Sequence, residues 1–328
     1  MEIVVSYAVF YFCILILGTI SGIFSERGGI VNIAINGFIL FGAIMYMLFS
    51  AILNNIFYDK VGNGYTPQTI SDYWQIPVTL ISIGATILFT LLFGFTTIKL
   101  KSDQTISGFA INILALGIAS ILILVITTNK NLFPMQDATV SIKGRNELAY
   151  DTSIGTYGNI LSFKSIVTIV VVAISWFTLN KTRWGLRFRA IGENPQAADV
   201  AGVNVNKLKW QGIIIAGAIA GLAGTFFAQG FASTISSTKD VAGLGYLALA
   251  IMITSRWKIA ISVVVSAFFA FLYSLSFYAS GILPSKILPY FDLFKAFPYF
   301  ITLLIMVFTS KTAVGPAAAG IPYDKSKR

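Results

Sequence analysis

The stretch RWGLRFRAIGENPQAADVAGVNVNKLK, Arg183 to Lys209, is polar and basic and lies between two oily segments, 163–180 and 210–232. A run carrying Arg183, Arg187, Arg189, Glu193, Asp199, Lys207 and Lys209 cannot sit in hydrocarbon. The runs on either side approach the about 20 apolar residues that cross a bilayer. The stretch therefore reads as a water-facing loop between two membrane spans.

The rest of the chain repeats that pattern. Of 328 residues, 56% are hydrophobic and only 11% charged, with a mean hydropathy of +0.80; soluble domains carry roughly a quarter charged residues. Apolar segments fall at about 3–24, 30–53, 77–98, 105–128, 163–180, 210–232, 243–255, 259–280 and 297–310. The expectation is an all-α polytopic membrane protein with eight to ten transmembrane helices, forming one domain over 1–328. Two segments, 243–255 and 297–310, are too short for a clean span. They extend into their flanks, lie partly re-entrant, or are discontinuous helices shielded by neighbours, the setting in which broken backbone is tolerated. At Ser25-Glu26-Arg27-Gly28-Gly29, either a tight turn or an unwound break interrupts about fifty apolar residues.

Basic residues set the orientation. Alternation places Lys99, Lys101, Lys181, Arg183, Arg187, Arg189, Lys207, Lys209, Arg256, Lys258, Lys311, Lys325, Lys327 and Arg328 on one side, fourteen of the 23 Lys and Arg. The opposite loops are nearly neutral, with Asp59, Asp72, Asp137, Glu147, Asp151, Asp240 and Asp292 against eight basic residues. The positive-inside rule puts the 181–209 loop and the C-terminus in the cytoplasm. The net charge of +10 is thereby explained by topology, without nucleic acid. The first segment lacks a basic n-region and a small-residue cleavage site, so it is expected to be retained. Trp176, Trp184, Trp257 and Tyr323 read as interfacial belt residues. The stretches 54–76 and 129–162 read as outward loops, either plain connectors or a surface for a binding protein.

The sequence offers no catalytic constellation. It has no histidine, a single Cys13 inside an apolar span, no metal-ligand cluster, no phosphate loop and no nucleophile elbow. Ionisable residues are scarce within the spans, Glu26 and Arg27 being the candidates, whereas proton-coupled carriers keep carboxylates near the midplane. Energy for transport is expected from another subunit. Within the opening loop, Asn194 precedes Pro195, and Gly202 follows Ala201: an N-cap, a proline at the first helical position and a glycine past the end. They predict a two-turn helix over 195–201, too short to stand alone in water. Two readings are open, a solvated loop or a helix whose small Ala197, Ala198 and Ala201 fit a groove on a cytosolic motor.

The segment GLRFRAIGENPQAADVAGVNVNKLKWQGIIIAGAIAGLAG resembles the cytoplasmic loop and following helix of ABC importer permeases of the branched-chain amino acid, ribose and nucleoside group. SERGGIVNIAINGFILFGA, SDQTISGFAINILALG, GLGYLALAIMITSRW, FPYFITLLIMV and GPAAAGIPY fit the same family in order, over roughly residues 20–324. The combination is most similar to permeases for simple sugars or purine nucleosides. The resemblance implies a bacterial cell-membrane subunit that binds no cofactor itself. ATP and Mg belong to partner ATPase subunits, beside a second permease, related or identical, and an extracytoplasmic solute-binding lipoprotein. It further implies that Arg187, Arg189, Glu193, Asn194, Pro195, Ala198 and Gly202 couple to the ATPase; Arg187 and Arg189 have lipid headgroups as alternative partners.

After the loop, Gly212, Ala216, Ala220, Gly224 and Ala228 recur every four residues beside Gly217 and Gly221, a small-residue row for close packing within the chain or between subunits. In GGIVNIAING, Gly28 to Gly37, Asn32 and Asn36 are four apart and are expected on one helical face. Two readings are open for these amides: partners on another helix, or a polar lining shared with Gln104, Ser107 and Asn112. Neutral amides and hydroxyls suit an uncharged polyhydroxylated solute better than an amino-acid zwitterion. The rival functions are an ion-coupled carrier working without an ATPase, a branched-chain amino acid ABC permease and a non-transporting scaffold protein.

Overall fold

The computed structural model describes residues 2–58, 74–127, 162–231, 240–278, 291–309 and 314–324. All regular elements among them are helical. The long helices are α1 (Glu2–Glu26), α2 (Ile35–Tyr58), α3 (Gln75–Gly94, continued by a π-turn over Phe95–Lys99), α4 (Gln104–Thr127) and α5 (Phe163–Lys181). Next come α6 (Arg183–Glu193), α7 (Pro195–Val200), α8 (Val205–Phe231), α9 (Leu244–Thr254), α10 (Ile259–Tyr278) and α11 (Phe291–Thr309). Seven of the described helices are long and apolar enough to cross a membrane, while α9 and the Ala296–Phe308 part of α11 are shorter apolar helices. Each apolar segment expected from sequence therefore falls largely on a helix; of the two expected to be short, 243–255 forms the 11-residue α9, while 297–310 extends into its flank as the 19-residue α11. Of the stretches 54–76 and 129–162, residues 59–73 and 129–161 lie outside the described residues, while 54–58 and 75–76 are the ends of α2 and α3.

Lipid supplies no hydrophobic drive between helices, so close packing must come from side-chain size. Helices α1, α2 and α8 form the inner layer: α1 packs on α8, α9 and α10, and α2 on α3, α4 and α8. The row on α8 faces inward. Gly224 meets the Ile39 carbonyl and Ala43 of α2, while a Cβ placed at Gly221 would lie 2.9 Å from Thr86 Cβ of α3. Gly217 abuts Thr90, and Ala216 accepts a hydrogen bond of 2.8 Å from the Ser21 hydroxyl of α1. Ala216, Ala220 and Ala228 are buried, and Gly212 lies under the Phe188 ring. These contacts are all within one chain. The outer faces of α3, α4, α5 and α11 expose Leu88, Ile113, Ile169 and Phe308, the apolar surface that lipid requires.

The interruption after α1 is both a turn and an unwound segment. Gly28 and Gly29, the latter at φ +79°, reverse the chain, and Ile30–Ala34 remain non-helical before α2 begins. Asn32 and Asn36 consequently do not share a helical face, contrary to the spacing argument. The cause is local: the Asn32 carboxamide accepts from Ala34 N (3.1 Å) and donates to Ser25 Oγ (2.8 Å), bonds that compete with a helical ladder.

The loops carrying the clustered basic residues meet at one end of the bundle, in keeping with their alternation. Arg27 pairs with Glu193 at 3.9 Å, Trp257 Nε1 donates to Glu26 Oε2 at 2.6 Å, and Lys101 pairs with Asp324 at 3.2 Å. The tail joins through Ala318 N to the Gly192 carbonyl, 2.9 Å. Two of the four belt residues depart from expectation. Trp257 and Tyr323 are buried rather than facing lipid, Trp257 because Glu26 and Arg27, remote in sequence, hold its indole and its carbonyl.

Candidate translocation path and coupling element

Side chains from α2, α4 and the approach to α9 converge on the unwound segment. Its free backbone groups need partners, since an unpaired group in hydrocarbon costs several kcal/mol. Gln104 Oε1 accepts from Val31 N at 2.6 Å. Asn112 Oδ1 accepts from Gly37 N at 2.7 Å, and its amide donates to the Ile33 carbonyl at 3.0 Å and to Tyr246 Oη at 3.2 Å. Asn36 Oδ1 accepts from Gly245 N at 3.1 Å while its amide donates to Asp240 Oδ2 at 2.7 Å. Ser107 stands a turn away, bonded to Ser102 and to the Asp103 carbonyl. All five sequence-named residues, Asn32, Asn36, Gln104, Ser107 and Asn112, are buried. Asn36 and Asn112 come together at the start of α2; Asn32, Gln104 and Ser107 lie nearer the loop-bearing end.

Two helical rulers place this cluster in depth. Asn112 is eight residues into α4, and Gly245 lies nine before the end of α9. At 1.5 Å per residue both stand about 12–14 Å from the loop-bearing end, near the middle of a hydrocarbon layer about 30 Å thick. Asp240, expected in an outward loop, therefore sits beside Asn36 at membrane depth. It precedes two left-handed residues, Ala242 (φ +53°) and Gly243 (φ +70°), that start the short α9, and Tyr299 Oη donates to the Ala242 carbonyl at 2.6 Å. The sequence signal for it was the shortness of 243–255, which leaves room for a half-helix starting inside the bilayer. A second ionisable residue passed over was Lys164, buried in α5 with its ammonium 5.0 Å from the Phe10 ring centroid.

At the loop-bearing end the short helix forms as its caps foretold. Asn194 Oδ1 accepts from Ala197 N at 3.0 Å, Pro195 occupies the first turn, and Gly202 adopts φ +81°. Pro195 and Ala198 face the protein; Ala197, Ala201 and Val200 face outward, as does Leu186. Arg187 and Glu193 are exposed, whereas Arg189 is half-buried. The stretch before it is a second helix rather than loop. Thr182 caps α6 through Gly185 N (3.0 Å), and Phe188 and Ile191 fill its inner face. The Phe188 ring stacks on Trp184 (centroids 4.6 Å apart), and Gly192 abuts the Arg27 carbonyl. The readable signal was Thr182 followed by apolar residues at 184, 188 and 191. Burial lowers the Arg27 guanidinium from its ordinary value; Glu193 opposes that and Arg189 adds to it. The loop element and the unwound segment are thereby in direct contact.

Comparison with known proteins agrees with this architecture. A family model described as "Branched-chain amino acid transport system / permease component" matches residues 4–310. The guanosine ABC transporter permease protein NupQ of Bacillus subtilis is 33% identical over 330 residues, covering 100% of this chain and 98% of the relative. The nucleoside ABC transporter permease protein NupC of Lactococcus lactis is 32% identical over 334 residues, covering 100% and 98%. An uncharacterized MG121 homolog of Mycoplasma pneumoniae is 36% identical over 323 residues, covering 96% and 94%. No solved structure matches. The chain belongs to the branched-chain amino acid transport system permease family, as a multi-pass, non-catalytic permease subunit of an ABC importer.

Proposed function

We propose that this permease carries nucleosides inward, as one of a pair of transmembrane subunits in a bacterial plasma membrane, with its loop-bearing end in the cytoplasm. The observation that carries the substrate class is end-to-end similarity to permeases named for guanosine and nucleosides. The site chemistry supports it. Asn36, Asn112, Tyr246 and the Asp240 carboxylate offer acceptors and donors to ribose hydroxyls and base N–H groups, while Asn32 and Gln104 hold the unwound segment beside them and Ser107 stands a turn away. Helices α6 and α7 receive the ATPase, Arg187, Arg189, Glu193, Asn194, Pro195, Ala198 and Gly202 forming or bracing the docking face. Motion there reaches the path through Gly192 and Glu193, which touch Arg27 at the start of the unwound segment. ATP and Mg act on the partner subunits, and a solute-binding lipoprotein delivers the cargo.

The test is uptake in proteoliposomes holding the chain with its ATPase, second permease and binding protein, offered guanosine, ribose and leucine in turn. ATP-dependent uptake of guanosine is expected. Uptake of leucine alone would reverse the substrate assignment, and uptake by the chain without ATPase would mean a secondary carrier. Asp240→Asn keeps an oxygen for Asn36 but removes the charge. It is expected to cut guanosine uptake about tenfold or more, the worth of one charged hydrogen bond, with basal ATP hydrolysis retained.

A further inference from the structure

Where α5 and α10 flank α1, an apolar groove of about 340 Å³ runs along the outside of the bundle. Phe12 forms its floor, and Ile169, Val172, Trp176, Ala260 and Val263 its walls. At the loop-bearing end it meets a second cavity of about 260 Å³, Trp176, Ile259 and Ala260 lining both. That cavity is of opposite character: Arg27, Arg189 and Lys258 converge on it, with Asn180 and Trp257. Trp176 lies near the end of α5 and Ile259 begins α10, so the junction stands at the edge of the membrane.

The charged cavity is built rather than incidental. Arg256 and Trp257 take successive left-handed conformations (φ +54° and +55°), costly for residues with side chains. Trp257 is held there by its Nε1 bond to Glu26 and by Arg27, whose Nε and Nη2 donate to its carbonyl at 3.4 and 3.3 Å. Arg189 Nε is buried with no hydrogen-bond partner. A buried charged donor without an acceptor is expensive. Among the described residues neither Arg189 nor Lys258 has an ion pair, and Arg27 has only the 3.9 Å contact to the exposed Glu193.

We propose that the two cavities form one site for an anionic phospholipid, its phosphate among Arg27, Arg189 and Lys258 and an acyl chain in the groove between α5 and α10. The exposed Trp176 indole at the junction suits the headgroup level. The site does not depend on which solute the permease carries. It would tie the lipid to both moving parts, Arg189 belonging to α6 and Arg27 to the unwound segment.

Native mass spectrometry of the detergent-purified full chain tests this, using phosphatidylglycerol and phosphatidylcholine with matched chains, and inorganic phosphate as the free anion. One phosphatidylglycerol should be retained at least tenfold over phosphatidylcholine. Lys258→Gln and Arg189→Gln should each weaken it about fivefold, Val172→Trp should reduce retention of both lipids, and millimolar phosphate should displace neither. Equal retention of the two lipids, or indifference to both charge variants, overturns the proposal. Displacement by phosphate makes the cavity a free-anion site, and loss of chain dimers in Val172→Trp with lipid retention unchanged makes the groove a protein interface; either also overturns it. Lys258 is on the exposed rim, so its variant carries the test if Arg189→Gln fails to fold.

Discussion

The α8 ridge and the unwound segment after α1 are both buried in the same bundle, yet they are held together by different physics. On α8, glycines let backbones approach until Gly221 meets Thr86 and Gly42, and Gly224 meets Ile39. The contact depends on missing side chains. At residues 27–34 the backbone leaves the helix, and it persists because Gln104, Asn112 and Asn32 supply the partners its amides and carbonyls lack. That contact depends on polar side chains that are present. Bulk should break the first and loss of polarity the second.

The largest effect is expected from Gly224→Leu. A side chain there meets the α2 backbone, which cannot rotate away, so the protein should not elute as a monodisperse species from a sizing column. Normal elution and melting would mean that α2 and α8 are less tightly joined than their geometry states. Next is Asn112→Leu, similar in size but unable to satisfy Gly37 N and the Ile33 carbonyl. It should lower stability by about 2–4 kcal/mol, read as a drop in melting temperature in detergent. A smaller loss, about 1 kcal/mol, is expected from Asn194→Ala through its missing cap; here uptake per ATP hydrolysed should fall while the melting temperature of the bundle barely moves. Gly117→Ala closes the series. No atom lies within 4 Å of a Cβ at that position, so the greater helix preference of alanine should leave melting unchanged or raise it by up to about 1 kcal/mol.

The same contrast explains what could be read in advance. Side-chain size at fixed spacing is written in the chain, which is why the α8 row and the apolar spans were legible. So was α7, whose start and stop depend on Asn194, Pro195 and Gly202 within a few residues. Asp240 was not legible as a membrane residue, because its place depends on α9 starting in mid-bundle and on Asn36, 204 residues away. Trp257 was misplaced at the lipid surface for a similar reason, its indole being drawn inward by Glu26, 231 residues distant. The helix α6 is a different kind of miss: its cap and inner face were local, but its charges made it read as loop. Of the candidate site, the amides Asn32, Asn36, Gln104 and Asn112 could be picked out in the chain, while the partners that hold them come from segments that only folding brings near.

The hydroxyls of the spanning helices carry a consequence for how the chain is made. Thr19, Ser25, Ser82, Thr86, Thr168 and Thr302 each donate to the carbonyl four residues earlier in their own helix. Thr19 also reaches Ala248, at 3.2 Å, a residue synthesised long after it. Such a helix can leave the ribosome and enter lipid by itself, its polar atoms already answered, and then exchange or share those bonds as later helices arrive. The amides of Asn36 and Asn112 have no such local recourse in their observed bonds. Until α4 and α9 have been inserted, the start of α2 is unfinished, and the middle of the permease is therefore completed late in its biogenesis.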